Sequence, residues 1–451
     1  MQAAPAATRA AKSETVESSD VVSCIHSLDA FLERYRLLMT RSEQRGHLAV
    51  YLNGLLSGLE RKSIEPIATM HELYRRPLQH FVGAGAWSDR SVLTELCTHV
   101  CEEFGDPNGV IVLDGSGMHK QGTESVGVTR QWCGRLGKVD NCQVGVFLGY
   151  ATPKGHALID HQLYLPEIWA NDRERCDAAY VPADVQFQTS WQIADALLRR
   201  NAGCLPHAWV VGDDQFGRPT EFRDALADRN EPYLLEVPFN TLVRRPNHWP
   251  GRKKKWKHVN LRRKQLSRDR WSTLRLRDGE KGPIDVRAFC TRVETPREGA
   301  PNREETLLVM EAITDGRTWY FLANADAPLD VAQLVAVAAH RHRIEQIFEE
   351  GKGEVGLDHY EVRSWVGWHH HMTLSAVALA FLEMERRRLG KNTPALTVSM
   401  IRFAIAKLLN NPPTPAATIA RLITYQVVRN EEARRGRWRA KGLCAPPKIA
   451  A

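Results

Sequence analysis

The sequence lacks any long hydrophobic run. No stretch among its 451 residues reaches the roughly 18 consecutive apolar residues that a membrane-spanning helix requires. The first twenty residues also lack the apolar centre of a signal peptide. Because hydrophobic residues still make up 43% of the chain, we expect a globular protein of roughly two to four domains, neither secreted nor held in a membrane.

Paired cysteines are missing as well. The chain has nine cysteines at irregular spacings, and no two of them form a Cys-x-x-Cys motif. An odd number of irregularly spaced cysteines indicates neither a disulfide framework nor a zinc ribbon. A reduced, cytoplasmic protein is therefore the simplest expectation.

Acidic residues are scarce in one segment. Between Arg244 and Arg270, twelve of 27 residues are Lys or Arg and only Asp269 is acidic, in a chain whose formal net charge is +8. Clustered cations with interleaved aromatic side chains, here Trp249 and Trp256, suit a polyanionic partner, although a solvated basic loop has the same composition. The cations that we expect to contact such a partner are Arg252, Lys253, Lys254, Lys255, Lys257, Arg262, Arg263 and Lys264.

The spacing of apolar residues changes along the chain. Steps of three and four residues predict helices from about residue 27 to 70 and again over 91–105. Apolar segments over 109–117, 142–153 and 156–166 predict three strands, after which helical and strand patterns alternate up to residue 240. Such an order favours an α/β protein with helices packed on a mixed sheet, and it is the order of RNase H-like domains.

Six divisions of the chain follow from these patterns. They are a lead-in at 1–20, a helical N-terminal domain at 21–105, the first part of an RNase H-like mixed-sheet domain at 106–240, a β-rich basic insertion at 241–325, the second part of the mixed-sheet domain at 326–390, and a helical basic tail at 391–451.

Three carboxylates stand where a reactive site can form. Asp114 and Asp213 each follow an apolar strand, and their side chains meet at one sheet edge if the strands are parallel neighbours. Arg341, Glu345 and Lys352 lie near one face of a helix that the apolar spacing predicts over 331–356. Simpler interpretations remain, because aspartates often begin turns and charged helix faces often meet solvent.

Phosphoryl transfer is the chemistry that three converging carboxylates support. Mg²⁺ prefers oxygen ligands, and two ions roughly 3.5–4 Å apart can activate an attacking oxygen and stabilise a leaving one. The ions would also keep the carboxylates charged, since clustered acids otherwise raise one another's pKa. Arg341 and Lys352 would then hold a phosphate backbone beside the ions.

Five segments are similar to one known family. They are GLLSGLERKSIEPIA (54–68), LQHFVGAGAWS (78–88), residues 110–169 beginning VIVLDGSG, WVVGDDQFGR (209–218), and residues 343–382 beginning RIEQIFEEGKGEVG. These segments resemble the DDE-type transposases of bacterial insertion sequences, and most specifically the insertion sequence 701 family, related to the larger four-like group. The resemblance spans most of residues 25–390.

The resemblance carries over to single residues. The family's three catalytic and metal-binding carboxylates fall on Asp114, Asp213 and Glu345. The family often has a second Asp after the first, where this chain has Gly115, and Asp214 does not match the family position. The implied cofactor is a pair of Mg²⁺ ions, for which Mn²⁺ can substitute.

A second signature matches with one departure. The related group carries Tyr-x2-Arg-x3-Glu-x6-Lys, and Arg341, Glu345 and Lys352 occupy its last three positions. The Tyr position holds Ala338, which puts a contact made by that Tyr in doubt but leaves the carboxylates unaffected.

The resemblance also implies a function and its partners. A member of the family binds the terminal inverted repeats of its insertion sequence and cuts and joins double-stranded DNA by a cut-and-paste route, as a homodimer in the DNA complex. The basic segment, the helical N-terminal domain, Arg341 and Lys352 would contact DNA, in a cytoplasmic protein that joins the nucleoid when bound. Candidates to hold a flipped base are Trp249, Trp256 and Trp271.

Two other functions are compatible with the same residues. One is a sequence-specific DNA-binding protein that descends from a transposase and no longer cuts. The other is an RNase H-like nuclease that cuts without joining strands. The complete carboxylate triad disfavours the first, and the insertion and helical N-terminus disfavour the second.

Overall fold

A computed structural model of the protein describes residues 16–134, 136–246, 255–263, 271–279, 282–324, 330–390, 395–409 and 415–443. Its strands are β1 (Val110–His119), β2 (Thr129–Cys133), β3 (Lys138–Thr152), β4 (Gly155–Leu163), β5 (Trp209–Gly212), β6 (Tyr233–Glu236), β7 (Leu242–Val243), β8 (Lys257–His258), β9 (Ser272–Gly279), β10 (Gly282–Thr295), β11 (Arg303–Ala312) and β12 (Thr318–Ala323).

Helices precede, interrupt and follow these strands. They are α1 (Ser18–Arg36), α2 (Ser42–Leu56), α3 (Ile64–Met70), α4 (Arg75–Gly83), α5 (Asp89–Phe104), α6 (Glu167–Ala170), α7 (Arg173–Ala178), α8 (Ser190–Asn201), α9 (Asp214–Gly217), α10 (Thr220–Asp228), α11 (Val259–Arg263), α12 (Val331–Ala339), α13 (Arg341–Val355), α14 (Trp365–Gly390), α15 (Val398–Leu408) and α16 (Ala416–Ala440).

Ten strands form one mixed sheet, which confirms the predicted sheet type. Its order is β2-β3-β1-β5-β6-β12-β11-β10-β9, and β4 pairs with β3. The pairs β1–β5 and β5–β6 are parallel, whereas all other described pairs in this sheet are antiparallel. The three parallel strands therefore form the centre of the sheet.

The strands β9 to β12, which lie within the predicted β-rich insertion at 241–325, extend this sheet. β12 pairs with β6, and β11, β10 and β9 follow outward. Along β11, Leu308 and Met310 face the large core, whereas Leu307 and Val309 face a separate small core. This period of two shows that both faces of the extension are covered.

The helix α14 is the centre of the helical layer. Its residues from Gly367 to Leu382 are all buried, because apolar side chains lie on every side of the helix and its three histidines are hydrogen-bonded within the protein. The Phe31 ring of α1 lies 5.0 Å from the Phe381 ring, and the Tyr51 hydroxyl of α2 is 2.8 Å from His371 Nδ1. The N-terminal helices thus pack on α14. Within the described ranges, no helix has both the length and the apolar character needed to cross a bilayer.

The helix predicted over 331–356 is divided in two. His340 separates α12 from α13, and its N–H donates to the Val337 carbonyl while its own carbonyl accepts from Arg343 N–H. Both bonds span three residues, so the chain tightens locally from α-helical to 3₁₀ geometry. Glu345 consequently belongs to the separate helix α13.

Candidate active site

The central strands bring two aspartates together. In the parallel pair β1–β5, Leu113 lies opposite Gly212, so Asp114 and Asp213 are the next residues on neighbouring strands. Asp213 ends β5 as predicted, and its carboxylate accepts a 3.0 Å hydrogen bond from Gln215 N–H at the start of α9. Asp114 does not end β1, because the strand continues to His119 in its antiparallel pairing with β3.

The third carboxylate comes from α13, which packs closely on β3. A Cβ atom on Gly149 of β3 would lie 2.7 Å from Ile344 Cδ1 and 3.1 Å from Ile347 Cδ1. The Phe348 ring meets the Phe147 ring edge-on at 5.1 Å, and Phe147 lies opposite Asp114 in the β1–β3 register. With this apolar face on the sheet, the intervening Glu345 lines the same cleft as Asp114 and Asp213.

Arg341 contacts one of these three carboxylates directly. Its Nε is 3.2 Å from Glu236 Oε2 at the end of β6, and its Nη1 is 3.7 Å from Glu345 Oε1. Its charge also lowers the pKa of Asp114 and of Asp213, although burial outweighs that effect at both groups. The Arg341 guanidinium thus contacts two carboxylates, those of Glu236 and Glu345, and its charge favours the ionised form of two more, those of Asp114 and Asp213.

The site carries more negative charge than its cations neutralise. Burial, followed by the charge of Asp213, raises the pKa of Asp114 to about 8. Burial also raises the pKa of Asp213. Glu345 differs, because a 2.9 Å hydrogen bond from His342 Nδ1 and the charge of Arg341 lower its pKa. Asp114 and Asp213 therefore form a site that favours an added cation.

The donor set fits a hard divalent cation. Asp114, Asp213 and Glu345 offer carboxylate oxygens to one cleft, which is the ligand chemistry that Mg²⁺ prefers. In the part of the chain that the structure describes, no three His, Cys, Asp or Glu side chains are close enough to one another to enclose an ion. Glu345 is instead held by His342 and Arg341.

Comparison with known proteins decides the family. The profile of the family described as DDE superfamily endonuclease matches residues 34–291, more than half of the chain. The chain belongs to the DDE superfamily endonucleases. The matched range contains Asp114 and Asp213 and ends before Glu345.

A curated relative agrees with this assignment. The probable transposase for insertion sequence element IS701 from Microchaete diplosiphon is 24% identical over 330 residues, which is 70% of this chain and 77% of that protein. Together the two findings confirm the resemblance to DDE-type transposases of the insertion sequence 701 family.

The predicted DNA-contacting cations of this DDE endonuclease have different surroundings. Lys352 Nζ donates to Ser116 Oγ at 2.9 Å inside the cleft that Asp114, Asp213 and Glu345 line. Lys255 is exposed, Lys257 is half-buried in β8, and the Arg263 guanidinium pairs with Glu311. The positions outside the described residues are Arg252, Lys253, Lys254, Lys264, Trp249 and, for its side chain alone, Arg262.

The two described tryptophans of the predicted stacking set have protein partners. The Arg244 guanidinium lies over the Trp256 ring, 4.7 Å from its centroid. The Trp271 ring is 6.0 Å from that of Phe289 and packs against the small core. A base that stacked on either ring would compete with these contacts.

Sequence reasoning missed three residues of the site. Glu236 ends β6 beside β5, and its position between apolar residues in YLLEVPF was an available signal. His342 lies three residues before Glu345 on the same helix, and that spacing was an available signal for their contact. Arg277 of β9 adds to the lowering of the Glu345 pKa after His342 and Arg341, and no local pattern connects that strand with the site.

Close packing at Gly149 leads to a testable expectation. Gly149→Ala should lower the free energy of unfolding by about 1–3 kcal/mol, because the added methyl group collides with Ile344 and Ile347. It should also slow DNA cleavage by displacing Glu345. Urea denaturation and a cleavage assay would measure both effects.

Two variants control the Gly149 experiment. Adding Ile344→Val removes the closer of the two colliding Cδ1 atoms and should restore part of the lost stability and cleavage. Gly353→Ala, on the same helix with open space around the new methyl group, should leave stability equal or slightly higher. If the free energy of unfolding of Gly149→Ala equals that of the wild type, α13 does not pack against β3 at Gly149.

Proposed function

We propose that this DDE endonuclease is a DNA transposase. It binds the terminal inverted repeats of its own insertion sequence, cleaves DNA at their ends and joins the freed ends to target DNA by a cut-and-paste route. The observation that carries the proposal is the convergence of Asp114, Asp213 and Glu345 on one cleft. Similarity to a probable insertion sequence transposase supports it.

The proposal includes an RNase H-like catalytic domain. Apart from the short edge strand β2, the first strands of the chain lie in the order β4-β3-β1-β5-β6, with β1, β5 and β6 parallel and β3 antiparallel. This order supports the RNase H-like assignment made from the sequence. The β-rich segment would be an insertion between β6 and α12 that extends the catalytic sheet.

Asp114, Asp213 and Glu345 would hold two Mg²⁺ ions, with Mn²⁺ as a substitute. When bound, such ions activate the attacking oxygen and stabilise the leaving oxygen of an in-line displacement. Arg341 keeps the carboxylates of β6 and α13 in place by its contacts with Glu236 and Glu345. Lys352, held at Ser116 within the same cleft, would bind the DNA phosphate next to the reacting one.

Contacts beyond the cleft would recognise double-stranded DNA. The basic segment between Arg244 and Arg270 and the helical N-terminal region are the proposed surfaces for the terminal repeats. Bringing two repeat ends together requires two catalytic clefts, so we propose a homodimer in the DNA complex. The protein would act in the cytoplasm and join the nucleoid when it binds DNA.

One experiment separates transposition from the alternatives. The full-length protein is incubated with Mg²⁺ and a duplex that carries the repeats flanking its gene, and a second duplex offers a pre-cut end with a 3′-OH. We expect cleavage at the repeat ends and joining of the pre-cut end to a target. Cleavage without joining would indicate a nuclease, and binding without cleavage would indicate a DNA-binding protein.

A further inference from the structure

Trp132 is an exposed aromatic side chain at the mouth of the catalytic cleft. It is 62% exposed, and no other tryptophan in the described ranges is classed as exposed. It also lines the cleft that contains Asp114, Asp213 and Glu345. This position makes the ring a surface that a ligand in the cleft would contact, since aromatic side chains in clefts pack against what they bind.

The backbone of Trp132 is fixed close to the carboxylates. At Gly117 of β1, a Cβ atom would lie 3.2 Å from Cys133 Cα, so β2 lies directly against β1 there. Gly117 is three residues beyond Asp114, a distance of about 10 Å along a strand. The absence of a side chain at Gly117 thus lets β2 hold Trp132 beside the reacting centre.

The Trp132 ring is exposed, whereas the strand that carries it is paired with β3. Trp132 pairs with Val139 of β3, and Cys133 is fully buried. On the opposite side of the strand, Gln131 Nε2 donates a 2.8 Å hydrogen bond to the Cys142 carbonyl. A rigid, exposed ring can stack on a partner at little entropic cost.

The charges around the ring identify the kind of partner. Arg130, two residues earlier on β2, is exposed on the same strand face as Trp132. Arg218 and Lys352 line the same cleft on the side of the carboxylates. Cations that flank an aromatic ring are suited to a chain of phosphates with bases between them.

We propose that Trp132 stacks on the nucleobase next to the phosphate that is cleaved, and so positions the end of the DNA. This role depends on the proposed function of the cleft. The stacking residue would then lie on β2, at the opposite end of the sheet from β9. The candidates that the sequence suggested, Trp249, Trp256 and Trp271, all lie in the β-rich segment.

The test uses repeat-end duplexes with 2-aminopurine at the nucleotide on either side of the cleaved phosphate. We expect wild-type protein to quench the fluorescence at one of these positions, and Trp132→Ala to abolish the quenching. Cleavage by Trp132→Ala should slow roughly 5- to 150-fold, the range of a lost base–aromatic stack. Trp132→Phe should retain most of both signals.

A matched control replaces another exposed apolar side chain. Ile168→Ala, on α6 and absent from the cleft lining, should leave quenching and cleavage at wild-type values. Thermal melting of each variant should show no change, because the Trp132 ring is largely exposed. These comparisons separate the loss of a stack from a loss of fold.

Three results would overturn the inference. Quenching that persists in Trp132→Ala shows that another group stacks on the base. If Trp132→Ala sediments without DNA as a smaller assembly than the wild type does, and still quenches the fluorescence, the ring instead contacts a second copy of the chain. If the wild-type protein does not quench the fluorescence but does cleave the DNA, the stacking proposal is wrong and the proposed function stands. If the wild-type protein neither quenches nor cleaves, the proposed function is wrong as well.

Discussion

Asp114→Asn, Asp213→Asn and Glu345→Gln should each reduce DNA cleavage and strand transfer by at least about 1,000-fold while the protein still binds the repeat DNA. Each change keeps the shape of the side chain and removes one anionic oxygen donor. All three groups line one cleft, and Asp213 lies close enough to Asp114 for its charge to add to the effect of burial in raising the pKa of Asp114. Cleavage is measured on the repeat duplex with Mg²⁺, and binding is measured by gel shift without it.

Neighbouring acids provide the controls for the triad. Asp214 follows Asp213 directly, but its carboxylate pairs with Arg218 at 3.2 Å. Glu349 lies one helical turn after Glu345 and also lines the cleft. We expect Asp214→Asn and Glu349→Gln to retain cleavage within about tenfold of wild type, because neither belongs to the proposed metal ligands.

Thermal stability gives a second readout with the opposite sign. Asp114→Asn should raise the melting temperature of the metal-free protein, because it removes a carboxyl group whose ionisation is opposed by burial and by the charge of Asp213. A variant that loses both cleavage and stability would mean that Asp114 supports the fold rather than the chemistry. Retained cleavage in any of the three variants would exclude that residue from the catalytic group.

Much of this site was predictable because its signals are local. VIVLDG and WVVGDD each join an apolar strand to an aspartate, and buried parallel strands place such residues side by side. The apolar positions Ile344, Ile347 and Phe348 likewise defined the face of α13 that packs on the sheet. Local periodicity was therefore sufficient to find the two strands and the helix.

The remaining features depend on contacts between distant residues. β1 continues past Asp114 only because β3 is long enough to pair with it as far as His119. β12 joins the sheet through β6, some 85 residues earlier in the chain at Phe321 and Glu236, so the extension of the sheet has no local signal. Arg277 reaches the neighbourhood of Glu345 only through that pairing.

Arg341→Met should destabilise the metal-free protein strongly. The substitution removes the one cation that contacts both Glu236 and Glu345 and that opposes the charges of Asp114 and Asp213. We expect a loss of about 2–3 kcal/mol in the free energy of unfolding, below the roughly 3–5 kcal/mol of a fully buried pair, because 27% of the Arg341 side chain is exposed. Urea denaturation without divalent cations measures this loss.

A second substitution tests the cause of that loss. Glu236→Gln in the Arg341→Met background should recover part of the stability, since it removes a carboxylate that the substitution leaves without its partner. Arg343→Met is the matched control on the same helix. Its guanidinium contacts the Gln346 side chain at 2.9 Å, and we expect its removal to change stability by less than about 0.5 kcal/mol.

Divalent cations should stabilise Arg341→Met more than they stabilise the wild type. In the variant, an ion bound at the carboxylates takes over the neutralisation that the guanidinium provided, and a ligand that binds only the folded state raises its stability. Equal stability of the variant and the wild type without metal would contradict the counter-ion role. If the variant then lost only DNA cleavage, Arg341 would instead act on the DNA backbone, as its position in the sequence signature suggests.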